Sequence, residues 1–208
     1  MRKFSRTAAG TAVTGAAFIA AIGLAASPAS AAVSSVVVSG RSSTGAVTAT
    51  ASAPTLTDNT TGTKLTCTSA AASASIPNGT HAGPAPVKVG TITAATWNTC
   101  KLNSITFSVT SNSLPWNVNI TNVTDASGNT PGSLTGVVAK LSGLCTATIT
   151  GSVTGHYSNS THTLVIDNGT LTVSGVSGLC LGLINNGDSV TYKANYVVTP
   201  STLAINAS

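Results

Sequence analysis

The feature that most constrains this chain is a two-residue alternation of apolar and hydroxyl-bearing side chains. Ile105, Phe107 and Val109 fall on one side of an extended backbone, and Ser104, Thr106, Ser108 and Thr110 fall on the other. Trp116, Val118 and Ile120 alternate with Asn117, Asn119 and Thr121, and Val190, Tyr192, Ala194 and Tyr196 alternate with Thr191, Lys193 and Asn195. A half-buried strand presents this pattern; a helix would scatter it around its axis. No segment after residue 31 shows helical spacing with caps. The runs and their turn signals predict roughly eleven to thirteen short strands in residues 32–208.

Charge is scarce. Nine Lys or Arg and four Asp are the only charged residues among 208, with no Glu, so 6% of the chain is charged against roughly 25% in ordinary soluble domains. Long solvated helices and coiled coils need far more surface charge than this, and charge-driven disorder is excluded as well. The outward positions carry hydroxyls instead, 62 Ser and Thr in all. An acid–base enzyme would have four Asp and three His to work with.

Residues 1–31 read as an export signal. Arg2, Lys3 and Arg6 precede an apolar stretch from Ala12 to Ala26, and Ala29-Ser30-Ala31 is a small-x-small cleavage site. The apolar core is shorter than the roughly 20 residues a membrane helix needs. Arg2-Lys3 is not a twin-arginine pair, which points to the general secretory route. Cleavage between Ala31 and Ala32 lowers the formal net charge from +5 to +2, because Arg2, Lys3 and Arg6 leave with the segment. The remaining chain has no basic run to neutralise nucleic-acid phosphates and no apolar stretch long enough to span a membrane. The expected location is extracellular.

Cys67, Cys100, Cys145 and Cys180 are an even set in a chain read as exported, and none forms a C-x-x-C pair, so they read as two disulfides. Of the three possible pairings, Cys67–Cys100 and Cys145–Cys180 are favoured by a faint internal duplication. Leu65-Thr66-Cys67-Thr68 is echoed by Leu144-Cys145-Thr146, and Gly90-Thr91-Ile92-Thr93 before Cys100 is echoed by Gly169-Thr170-Leu171-Thr172 before Cys180.

Asn78-Gly79, Asn168-Gly169 and Asn186-Gly187 suit the positive φ angles of type I′ turns. The middle pair predicts a hairpin of Thr163–Asp167 with Thr170–Ser174. The segment Pro77–Val87, with three prolines, reads as a loop. Residues 32–63 are expected to be loosely ordered, with 41–63 as a loosely held edge. The expected fold is a single antiparallel β-sandwich, jelly-roll-like, over residues 32–208 and stapled by two disulfides.

A resemblance follows from particular segments: Leu65-Thr66-Cys67, Thr96-Trp97-Asn98-Thr99-Cys100, Pro115-Trp116-Asn117-Val118-Asn119 and Leu181-Gly182-Leu183-Ile184-Asn185-Asn186-Gly187-Asp188. From about residue 60 to 198 the chain resembles small exported β-rich proteins of actinobacteria that carry no assigned activity. The resemblance implies export and β structure and brings no catalytic residues.

Candidate chemistry is sparse. Gly187-Asp188-Ser189, with His81 and Asp125 upstream, has the His, Asp, Ser order of chymotrypsin-like proteases. Val190-Thr191 follows the serine where that mechanism wants glycines, so the string reads better as a turn entering a strand. His156 and His162 would face each other if Ser158-Asn159-Ser160 were a three-residue hairpin loop, close enough to share a zinc or copper ion, but no Cys or Glu stands near to complete the ligands. Trp116, Tyr192 and Tyr196 fall on apolar faces and read as core, and Trp97 is expected to pack on a disulfide. Repeated Thr-x-Thr triplets lack the fixed spacing of a flat ice-binding face.

These readings converge on a secreted, non-enzymatic structural or binding protein of the cell exterior, with no cofactor and no metal assigned. Cell-wall or extracellular polysaccharide or protein is the expected class of partner. The alternatives are a secreted hydrolase whose site forms only on folding, and an extracellular protease inhibitor presenting Pro77–Val87.

Overall fold

The computed structural model describes residues 32–40 and 45–208; the export segment expected over 1–31 lies outside them. Fifteen strands and no helix occur among the described residues. In chain order they are β1 (Ser35–Ser39), β2 (Ala46–Ser52), β3 (Thr55–Asp58), β4 (Lys64–Thr66), β5 (Ser69–Ser75), β6 (Gly79–Ala82), β7 (Val87–Asn98) and β8 (Cys100–Leu102). There follow β9 (Ile105–Asn112), β10 (Trp116–Ile120), β11 (Asn129–Ser142), β12 (Cys145–Ser158), β13 (Thr163–Gly178), β14 (Ser189–Thr199) and β15 (Ala204–Ala207). Every pairing between them is antiparallel. The all-β fold and both expected disulfides, Cys67–Cys100 and Cys145–Cys180, are present.

The large sheet closes on itself. Its order runs β10-β11-β12-β13-β14-β2-β5-β7, and β7 pairs back onto β10 through Trp116↔Ile92 to Ile120↔Val87. A second ring shares the long strands β11 to β14 and returns through β3, β4, β8 and β9 to β11. The two faces expected of a sandwich are therefore joined along their edges into a flattened barrel. Each long strand spans both rings: β11 pairs with β10 over Gly132–Thr135 and with β9 over Val138–Ser142. The change of partner falls at Gly136, a bulge at φ +77°, where a side chain would be strained.

Alternation sets the burial. Phe107 is buried with Ile105 and Val109 half-buried beside it, while Thr106, Ser108 and Thr110 are exposed. Val190, Ala194, Tyr196 and Val198 point inward from β14. One core lines the barrel, and a second lies beneath a small sheet ordered β15-β1-β6, where Val36, Val38, Leu203 and Ile205 are nearly inaccessible. Each such side chain contributes about 1.5–3 kcal/mol by leaving water.

Three local expectations are corrected. The Asn168-Gly169 pair makes no hairpin, for β13 runs straight through it. Staying extended lets β13 pair with β12 from Thr163 to Gly178 and with β14 on its other side, many more bonds than a five-residue hairpin offers. Asp167 is instead the extra residue of a bulge: the partners step from Thr154↔Asn168 to Gly155↔Ile166. Second, Pro77–Val87 is not a free loop, because Gly79–Ala82 forms β6 on β1. Third, within residues 41–63, β2 is interior, held between β14 and β5, and β3 is held between β14 and β4.

Candidate functional site

The barrel is not filled. A cavity of about 150 Å³ runs through its interior. Its wall is nearly all apolar, and five of its side chains are the single methyl of alanine: Ala49, Ala72, Ala74, Ala95 and Ala139. β5 reads Ser-Ala-Ala-Ala-Ser-Ala-Ser, so its inward positions carry single methyl groups where Val or Ile would fill a barrel of this girth. Eight strands around is the size at which an interior either fills with side chains or admits one small ligand.

Five aromatic residues line the same space: Trp97 from β7, Trp116 from β10, Tyr157 from β12, and Tyr192 and Tyr196 from β14. The two indole rings lie 6.5 Å apart between centroids, tilted by 39°. The Trp116 Nε1–H donates to the Asn112 carbonyl, at 3.0 Å. The Trp97 Nε1–H donates to the Tyr192 hydroxyl at 3.1 Å, and the Tyr192 and Tyr196 hydroxyls share a bond of 2.7 Å. Trp97 thus binds Tyr192 and stacks near Trp116, a more specific role than the expected packing on a disulfide.

That trio has a donor to spare. Trp97 N–H and two tyrosine O–H groups make three donors, and two bonds join them. Whichever tyrosine donates to the other, one hydroxyl proton has no partner among the described residues. Burial pushes the Tyr192 hydroxyl above its ordinary value, against the pull of the bonds to Tyr196 and Trp97. Burial raises Tyr196 as well, reinforced by the neighbouring Tyr192. Both are neutral donors at physiological pH.

No family model, curated protein or solved structure matches the chain. The reading of the site therefore stands on its own geometry.

The residues singled out in the sequence are dispersed. β12 and β13 pair Ser158 with Thr163, Tyr157 with Leu164 and His156 with Val165, so the loop is four residues long and His156 does not face His162. His162 sits in that loop at φ +50°, with Nδ1 3.4 Å from the Tyr157 hydroxyl. Val165 stands where His162 would have to, three residues off in register, so the two candidate ligands are not brought face to face. Among the described residues no group of three or more His, Cys, Asp or Glu could hold a metal.

His81 lies on β6 in the small sheet, opposite Val36. Ser189 opens β14, where its hydroxyl accepts from the Asn59 side-chain amide at 3.2 Å. Exposed Asp125 organises its own turn, accepting from the backbone N–H of Ser127 and Asn129. Those Asn129 bonds lead in holding its carboxyl below the usual range, with a smaller pull from His156. Asp125 and Ser189 are bonded to different neighbours, and the buried His81 Nε2 has no hydrogen-bond partner among the described residues, so the three form no relay.

Alternation assigns Trp116, Tyr192 and Tyr196 to the core but carries no account of how completely that core is filled. The signal was available in the alanines of β2 and β5, at positions where the alternation points inward.

Proposed function

We propose that this is an exported, non-enzymatic binding protein of the cell exterior, which holds a small apolar molecule bearing one hydrogen-bond acceptor inside its barrel. The observation that carries the reading is the apolar cavity with a single unused hydroxyl donor at the Trp97–Tyr192–Tyr196 edge. A cavity of about 150 Å³ is the size that, when apolar, stays dry and takes a benzene-sized guest. The donor would select a ketone, ester or ether over a plain hydrocarbon, since a buried donor without a partner costs about 1–3 kcal/mol. Two disulfides are compatible with an extracellular location. Export through residues 1–31 and kinship with exported actinobacterial proteins belong to this proposal. Polysaccharide on the outer surface is less favoured as partner, because the aromatic side chains that would stack on sugars are turned inward.

Isothermal calorimetry with cyclohexanone and with cyclohexane, matched in size, tests the reading. Saturable heat from both is expected, with the ketone about tenfold tighter for one hydrogen bond. No saturable heat from either at millimolar concentration overturns it.

A further inference from the structure

A second site lies where the turn after β3 meets the loop before β14, and it is independent of the cavity. Asp58 and Asp188 are two of the only four acidic residues in the chain, and both are buried, 4% and 8% exposed. Register explains why they meet. Asp58 pairs with Val190, so Asp188, two residues earlier, is its diagonal neighbour on the same inward face.

One oxygen of each carboxylate is already committed. Asp58 Oδ1 accepts from the backbone N–H of Thr60 and Thr61, at 2.8 and 3.0 Å. Asp188 Oδ2 accepts from the backbone N–H and side-chain amide of Asn185, at 2.7 and 3.1 Å. Asp58 Oδ2, in contrast, is buried with no hydrogen-bond partner. Among the described residues no Lys, Arg or His forms an ion pair with either carboxylate; Lys193 and Lys64, the nearest in sequence, are both exposed.

The surroundings are rich in oxygen. Asn59 N–H donates to the Ser189 carbonyl at 2.9 Å, and the Thr61 hydroxyl donates to the Leu183 carbonyl at 3.1 Å, which ties the two loops together across the carboxylates.

Two neighbouring carboxylates in a desolvated place repel strongly, and an uncompensated buried oxygen is costly. We propose that Asp58 and Asp188 bind one divalent cation, of the calcium type, between these two loops. The donor set is all oxygen, with no sulfur and no imidazole, which suits a hard cation and disfavours zinc or copper. A charge of two compensates both carboxylates, whereas sodium would leave one exposed to repulsion. Calcium accommodates irregular ligand sets from loops better than magnesium, which demands near-octahedral geometry.

The test is thermal unfolding of the EDTA-treated protein, with calcium chloride titrated in and sodium chloride at matched ionic strength as control. For an extracellular-type site with Kd of about 10⁻⁴ M, 10 mM calcium should raise Tm by about 5 °C or more. Asp188→Asn should abolish the rise. Terbium, read by luminescence on the wild-type protein and displaced by calcium, supplies a measurement that does not depend on a variant folding. No rise and no terbium signal overturn the proposal. So does a rise matched by sodium chloride, which is screening, or one retained in full by folded Asp188→Asn, which places the ion elsewhere.

Discussion

The hydroxyl oxygens of Tyr192 and Tyr196 lie 2.7 Å apart, four residues from one another on β14 and both directed into the barrel. Their burial sets an alkaline limit on the fold. In the unfolded chain tyrosines ionise near pH 10, while in the folded barrel both hold their protons to higher pH. Above that pH the unfolded state binds fewer protons, so stability is intact below about pH 10 and falls as pH rises further. The slope should approach about 1.4 kcal/mol per pH unit for each tyrosine. Urea midpoints between pH 8 and 11.5 measure it, and the Tyr192→Phe/Tyr196→Phe double variant should flatten the decline.

Filling the cavity should trade binding for stability. Ala74→Leu adds apolar volume to a wall that has room for it, and each buried CH₂ contributes about 0.8 kcal/mol, less any strain. A gain of about 1–2 kcal/mol is expected, seen as a higher urea midpoint at unchanged m-value, together with loss of cyclohexanone heat. A loss of stability would mean the space is already occupied by moving side chains.

The Cys145–Cys180 bridge closes a separation of 35 residues and ties the start of β12 to the segment after β13. Replacing both cysteines by alanine should cost about 3–4 kcal/mol by loop-closure entropy. Denaturant unfolding of the double variant checks this, and a cost near zero would show that β12–β13 pairing alone restrains the unfolded chain.

Gly155 has no room for a side chain. A Cβ there would lie 1.8 Å from the Val165 carbonyl oxygen, a backbone atom of the paired strand. Gly155→Ala should therefore push β12 and β13 apart at the bulge and cost about 3 kcal/mol or more, as strain of this kind does. The control is Gly62→Ala, whose Cβ would meet nothing within 4 Å and whose cost arises only from its φ of +72°.

The strands were legible because alternation depends only on which side of the backbone faces the core, and Ile105, Phe107 and Val109 carry that information locally. Both disulfides were legible for a similar reason, since the duplicated segments around them are local. What could not be read locally was the identity of each strand's partners. Asn168-Gly169 fits a turn and a bulge equally well, and the choice was made by β12 and β14, which lie elsewhere in the chain. The His156–His162 pair failed because the loop is one residue longer and starts one residue later, which sets Val165 opposite His156. The cavity is a deficit of volume: the inward alanines of β2 and β5 hint at it locally, but its place and size follow only once those strands and β7 are set opposite β11 and β14. The Asp58–Asp188 pair likewise depends on a contact across 130 residues.

The pairing of β1 with β15 has a consequence for the order in which the molecule can be completed. Val36 meets Ala207 and Ser39 meets Ala204, so the first described strand waits for the last. A chain emerging residue by residue, N-terminus first, can pair β1 with β6 early, but the small sheet stays one strand short until residues 204–207 arrive. Until then Val36 and Val38 lack one flank of their cover. The small sheet is thus completed by a clasp between distant strands rather than by progressive growth.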